Sequence, residues 1–88
     1  MTSNQIRKVL TLAKINLENL TIGRDCVKVY VRDNEGYCDF EAIGQLVEQV
    51  KGVLNWGGYS TGSGAWVLDK SYTVATSEYC SMSPSHHY

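Results

Sequence analysis

Apolar residues fall at Ile6, Val9, Leu10, Ala13, Leu17 and Leu20, the i, i+3, i+4, i+7 spacing that buries one face of a helix. Ahead of them, Thr2-Ser3-Asn4-Gln5 fits a capping box, in which the Gln5 N–H donates to the Thr2 hydroxyl and the Gln5 side chain reaches back. Gly23 supplies the left-handed residue that ends many helices. The spacing therefore predicts a first helix running towards Gly23. Leu12 and Ile15 lie off its main stripe, as in a helix covered on more than one side.

The period then changes from 3.6 to two. In Cys26-Val27-Lys28-Val29-Tyr30-Val31-Arg32 the valines share one face, which predicts a strand with Val27, Val29 and Val31 inward and Lys28, Tyr30 and Arg32 outward. Asp33-Asn34-Glu35-Gly36 reads as a turn, and Tyr37 to Asp39 as a short return strand. A two-residue Asn34-Glu35 loop pairs Cys38 with Val31 and turns Cys38 to the core. A three-residue loop ending at Gly36 shifts the register by one and turns Cys38 the other way. Apolar matching favours the first.

Helical spacing returns after Asp39, a good N-cap. Phe40, Ile43, Val47, Val50 and Leu54 form the stripe, with Leu46 and Val53 beside it. Glu41 near the start and Lys51 near the end suit the helix dipole. Gly44 and Gly52 each cost roughly 1 kcal/mol relative to alanine inside a helix. Both lie off the stripe, where another backbone could approach. Gly57-Gly58 is expected to stop the helix. The stretch N-W-G-G-Y-S-T-G-S-G-A-W, Asn55 to Trp66, then reads as a mobile glycine–aromatic connector. Ala65 to Leu68 and Tyr72 to Thr76 read as strands, with Asp69-Lys70-Ser71 either a turn between them or part of one long strand.

The predicted order is α-β-β-α-β-β. Two helices on one face of a short antiparallel sheet would bury both stripes, giving a small two-layer α+β domain. Residues 1–80 are expected to form that single domain and residues 81–88, serine-rich and holding Pro84, a flexible tail. A chain of 88 residues buries only about 60–65% of its unfolded surface, which leaves little room for an interior catalytic cavity. No apolar run reaches the length of a membrane span. The N-terminus lacks the basic-then-apolar order of a signal peptide. Cys26, Cys38 and Cys80 form no C-x-x-C element and read as reduced thiols. A cytoplasmic protein is expected.

Charge adds an asymmetry. Residues 1–32 hold Arg7, Lys8, Lys14, Arg24, Lys28 and Arg32 against Glu18 and Asp25, a balance of +4. Residues 33–88 hold Lys51 and Lys70 against Asp33, Glu35, Asp39, Glu41, Glu48, Asp69 and Glu78, a balance of −5. The two parts can partly neutralise each other, or the first can present a basic face to an acidic partner. No dense basic cluster favours nucleic acid.

Catalytic and cofactor chemistry find little support. Cys80, His86 and His87 lack the second ligand pair a zinc site needs. Those histidines, the only two, sit in the expected tail and cannot be held as a general base for Cys38 or a serine. Asp33 and Asp39 are accounted for as turn and cap, and D-x-[DN]-x-[DN]-G is absent. The glycine-rich stretch has no Lys-Ser/Thr and precedes a strand, so it lacks the helix N-terminus that binds phosphate. No cofactor and no metal are expected, and the chain reads as a non-enzyme.

Aromatic recognition remains. Trp56, Tyr59 and Trp66 bracket the connector, with Tyr72 and Tyr79 further along. Tryptophan and tyrosine bury much area with few rotors and concentrate at interface hot spots. Trp56 ends an apolar helix and Trp66 starts an apolar strand, so either can also close the core, whereas Tyr59 sits between glycine and serine. The outward strand face, Lys28, Tyr30 and Arg32, is a second candidate surface. In size and plan the chain resembles the small stand-alone proteins that phages and mobile elements encode to inhibit host machinery, such as anti-CRISPR proteins and host-enzyme inhibitors. No motif carries that likeness. It implies a protein-binding inhibitor of a host complex, working in the host cytoplasm. The alternatives are a nucleic-acid binder using Arg7, Lys8, Lys14, Lys28 and Arg32 with Tyr30 stacking, and a homo-oligomeric subunit pairing through an edge strand near Tyr72–Thr76.

Overall fold

The computed structural model describes residues 1–73. Helices α1 (Ser3–Leu12) and α2 (Phe40–Leu54) pack on one face of a four-stranded antiparallel sheet. Its strands are β1 (Leu20–Gly23), β2 (Cys26–Val29), β3 (Trp56–Ser60) and β4 (Trp66–Thr73), in spatial order β1-β2-β4-β3. The α+β class and the order α-β-β-α-β-β are those the sequence predicts.

The capping box of α1 is present. The Gln5 N–H donates to Thr2 Oγ1 at 3.2 Å, and the Thr2 N–H to Gln5 Oε1 at 2.8 Å. The helix ends much earlier than its apolar spacing implies. Lys14 takes a left-handed conformation with φ 63°. Its N–H donates to the Thr11 carbonyl at 2.9 Å, and the Ile15 N–H to the Leu10 carbonyl at 3.0 Å. This is a Schellman closure, made by a lysine where glycine is usual. It turns Ile15 back onto Leu10, and both are buried. Leu20 keeps the helical phase by coincidence and lies in β1. Gly23 ends no helix; it pairs with Cys26 across the two-residue turn Arg24-Asp25, with Asp25 left-handed.

The core-facing row of the sheet follows from register. Ile22 faces Val27, and Val27 faces Leu68. Ile6 and Leu10 of α1, Ile43, Val47 and Val50 of α2, and Ile22, Val27, Val29, Trp56 and Leu68 of the sheet form one buried cluster. Each such side chain contributes about 1.5–3 kcal/mol on leaving water. Val31 is half-buried and packs against the same cluster.

The return strand after Val31 reduces to one bridge, Arg32 with Cys38. Cys38 therefore does not face the core, and the Val31 register favoured by apolar matching is overturned. The reason lies in the turn. Asp33 Oδ1 accepts from the N–H groups of Glu35 and Tyr37 at 2.8 and 2.9 Å, and Gly36 at φ 92° completes a three-residue loop.

Helix α2 begins as expected, the Ala42 N–H donating to Asp39 Oδ1 at 3.0 Å. Two details differ. Phe40 belongs to the apolar stripe by spacing but stands at the first position of the helix and is 70% exposed. Gly44 and Gly52 meet no other backbone; a Cβ added at either would have nothing within 4 Å. Asn55, left-handed at φ 58°, stops the helix, so Gly57 and Gly58 do not. The predicted strand to Thr76 is described only as far as Thr73. Tyr79, Cys80, His86, His87 and the 81–88 tail lie outside the described residues, as does the domain boundary at residue 80.

Candidate interaction surface

The stretch read as a mobile connector is mostly strand. Trp56 to Ser60 form β3 at one edge of the sheet, and the chain turns through Thr61–Ala65 into β4. Gly57 and Gly58 are needed because β4 lies too close for side chains. A Cβ on Gly57 would stand 2.7 Å from the Thr73 carbonyl oxygen, and one on Gly58 would overlap the Val67 carbonyl.

Register places Trp56 opposite Thr73 but Gly57 opposite Asp69, so Lys70, Ser71 and Tyr72 arch out of the β3 ladder. Asp69-Lys70-Ser71 thus lies within one long strand and still bends. The Ser71 N–H and hydroxyl both donate to Asp69 Oδ1 at 2.8 Å, holding the Asp69 carboxyl below the usual carboxylate range. The Lys70 N–H donates to the Asp25 carbonyl at 2.9 Å, tying the arch to the β1–β2 turn. Asp25 in turn accepts from the Met1 ammonium, chiefly for which its carboxyl is also depressed.

The hairpin tip is likewise held. The Thr61 N–H donates to the Ala65 carbonyl at 2.9 Å, and the Thr61 hydroxyl donates to the same oxygen at 3.2 Å. Gly64 lies against the Cys38 thiol with no space for a Cβ. That thiol lies 3.7 Å from the Tyr30 hydroxyl and 3.9 Å from the Ser63 carbonyl oxygen. Arg32 Nε donates to the same Tyr30 hydroxyl at 3.1 Å, with its guanidinium 5.2 Å from the ring centroid. Tip and turn 33–38 thus brace each other through Tyr30.

Both helices lie on one side of the sheet. On the other, register sets Thr21 beside Lys28, Lys28 beside Val67, and Val67 beside Tyr59. The Tyr59 ring packs on Tyr72 at 5.4 Å between centroids with the planes tilted by 49°. The two tyrosines are 44% and 47% exposed. No described element covers this row.

The proposed contact residues therefore separate. Lys28 and Tyr59 stand on the open face. Tyr30 and Arg32 join Cys38 and the hairpin tip. Trp56 is buried in the core and offers no surface. Trp66 is half-buried on the helix side, with Lys51 Nζ 5.4 Å from its ring centroid. Sequence reasoning named no role for Val67 and Thr21; alternation from the inward Leu68 and Ile22 is the signal that finds them. Arg7 and Lys8 are exposed on α1 and Lys14 in the turn that follows it, on the opposite layer from Lys28. Among the described residues no three His, Cys, Asp or Glu side chains are placed to hold a metal ion, and no described helix is long and apolar enough to cross a membrane.

Comparison with protein-family models, with curated proteins and with solved structures returned no match.

Proposed function

We propose that this protein is a non-enzymatic protein-binding module whose contact surface is the open sheet face, centred on Tyr59, Tyr72, Val67 and Lys28. One observation carries the reading: the described helices cover one side of the sheet and leave an aromatic pair, a valine and a lysine on the other. Such a surface suits recognition, because tyrosine offers apolar area and a hydroxyl at low rotor cost. The strands beneath hold these side chains before the partner arrives, so little order is lost on docking. Likeness in size and plan to phage and mobile-element inhibitors makes a host protein complex in the cytoplasm the expected partner, and blocking it the expected outcome.

The test compares the wild-type chain with a Tyr59→Ser/Lys28→Glu double variant of equal melting temperature, each immobilised against host lysate. A partner bound by the wild type and lost from the variant supports the reading. Equal recovery on both removes the sheet face from the site.

A further inference from the structure

Strand register decides which backbone groups of the sheet are already used. In an antiparallel pair, alternate residues exchange hydrogen bonds with the residue opposite, and those between them point to the other side. The Thr61 N–H donates to the Ala65 carbonyl at 2.9 Å, which fixes the phase along β3. In register from there, Tyr59 bonds with Val67 and Gly57 with Asp69. Gly58 and Ser60 therefore direct their N–H and C=O groups away from β4. The phase agrees across the sheet. The same alternation requires bonded pairs of Lys70 with Asp25 and of Tyr30 with Asn19, and both bonds are present, at 2.9 and 3.2 Å.

Strand β3 is an edge, and among the described residues nothing pairs with its outer side. The other edge is guarded. In β1 the outward residues are Leu20 and Ile22, the Leu20 N–H is taken by the Leu17 carbonyl at 3.1 Å, and exposed Glu18 and Arg24 flank the strand. Between Lys51 and Asp69 the chain holds no charged residue and no proline, the usual guards of an edge. The one irregularity of β3, between Trp56 and Gly57, precedes the outward pair. The charges around it are engaged or distant. Lys51 stands over the Trp66 ring and near Glu48, the Asp69 carboxylate is held by Ser71, and Lys70 sits at the β1–β2 turn. Lys28 lies on β2 and Arg32 past its end, with β4 between β2 and β3.

We propose that β3 is the contact strand for a second copy of the chain, paired antiparallel about a two-fold axis at Tyr59, so that the two four-stranded sheets become one. A two-fold contact needs a patch that matches itself. An uncharged strand with donors and acceptors placed symmetrically about one residue is such a patch. With the axis at Tyr59, Gly58 of each copy lies opposite Ser60 of the other, and the outward groups of both residues find partners. The two Tyr59 residues then face each other in a non-hydrogen-bonded position, with Cα atoms about 4.5 Å apart, where cross-strand side chains are closest. Each already packs on its own Tyr72, so the two tyrosine pairs meet in one cluster. The chain's own continuation suits this edge less well. Thr73 lies opposite Trp56, where β3 begins, so a chain passing directly onto the edge would run parallel to β3, a slightly weaker pairing. The proposal stands apart from the sheet-face reading, because the open faces of both copies point the same way and Lys28 and Val67 stay free.

Sedimentation equilibrium of the full chain, with amide hydrogen exchange over the same concentrations, tests it. The expected result is a monomer–dimer equilibrium in which the Gly58 and Ser60 amides become protected as the dimer forms, while the Ile22 amide on the other edge does not change. Ser60→Pro removes an N–H that the chain's own ladder does not use. It should raise the dissociation constant about tenfold or more and leave the melting temperature of the monomer unchanged. Tyr59→Lys alters no backbone group. It sets two ammonium groups opposite each other and should split the dimer, more at low salt than at high salt. A monomer at every concentration overturns the proposal, whether the two amides are open or are protected by the chain's own continuation. So does a dimer that both substitutions leave intact.

Discussion

Val67 and Leu68 are neighbours in one strand and belong to different surfaces. Leu68 is sealed beneath α2, while Val67 lies between Lys28 and Tyr59 on the side the described helices leave open. Side chains of similar size, on consecutive residues, thus do different work. One holds the domain together, and the other is available to something outside it.

Substitutions can separate the two roles, beginning where the effect should be largest. Leu68→Ala should cost about 2–5 kcal/mol in urea unfolding, and Val67→Ala less than about 1 kcal/mol. Similar losses at both sites would mean that the open face is covered after all. Gly58→Ala should cost about 1–3 kcal/mol or more, since the new Cβ meets the Val67 carbonyl and not a movable side chain. Tyr59→Ser should lose only the pairing with Tyr72, about 1 kcal/mol, while abolishing partner capture. On the outer side of α2, Gly44→Ala and Gly52→Ala should each raise stability by about 0.5–1 kcal/mol, because both sites are exposed and open.

The smallest effect concerns pH. Asp69 has its carboxyl depressed by the Ser71 N–H and hydroxyl, so its contribution to stability is present above the ordinary value of 3.8 and fades as pH falls through the lower folded value. Melting temperature should therefore fall less steeply below about pH 4 in Asp69→Asn than in the wild type. Identical acid profiles would show that the arch at Ser71 contributes nothing.

Much of this arrangement is legible in the residues themselves. Asp39 announces the start of α2, Thr2 and Gln5 announce α1, and the alternation of Val27 and Val29 marks the inner face of β2. The failures share a cause. Left-handed conformation is expected of glycine, yet here Lys14 and Asn55 close the two helices, while Gly57 and Gly58 lie in a strand. At Lys14 the burial of Ile15 against Leu10 outweighs the local cost of the conformation. Long-range geometry hid the rest. The approach of β4 to Gly58 depends on residues nine and ten positions further along. For the same reason Tyr59 could be read as exposed, but its pairing with Tyr72 and its place beside Val67 and Lys28 appear only once the register is known.

That close approach has a genetic consequence. Every amino-acid replacement reachable from a glycine codon by one nucleotide change carries a Cβ. At Gly58 each of them meets backbone, so the codon is a dead end for drift unless β4 moves as well. Gly44 and Gly52 have the same codon neighbours and open surroundings. A saturation library selected for folding alone should therefore empty at one glycine and fill at the other two, and the same library selected for partner binding would show which residues on the open sheet face are equally confined.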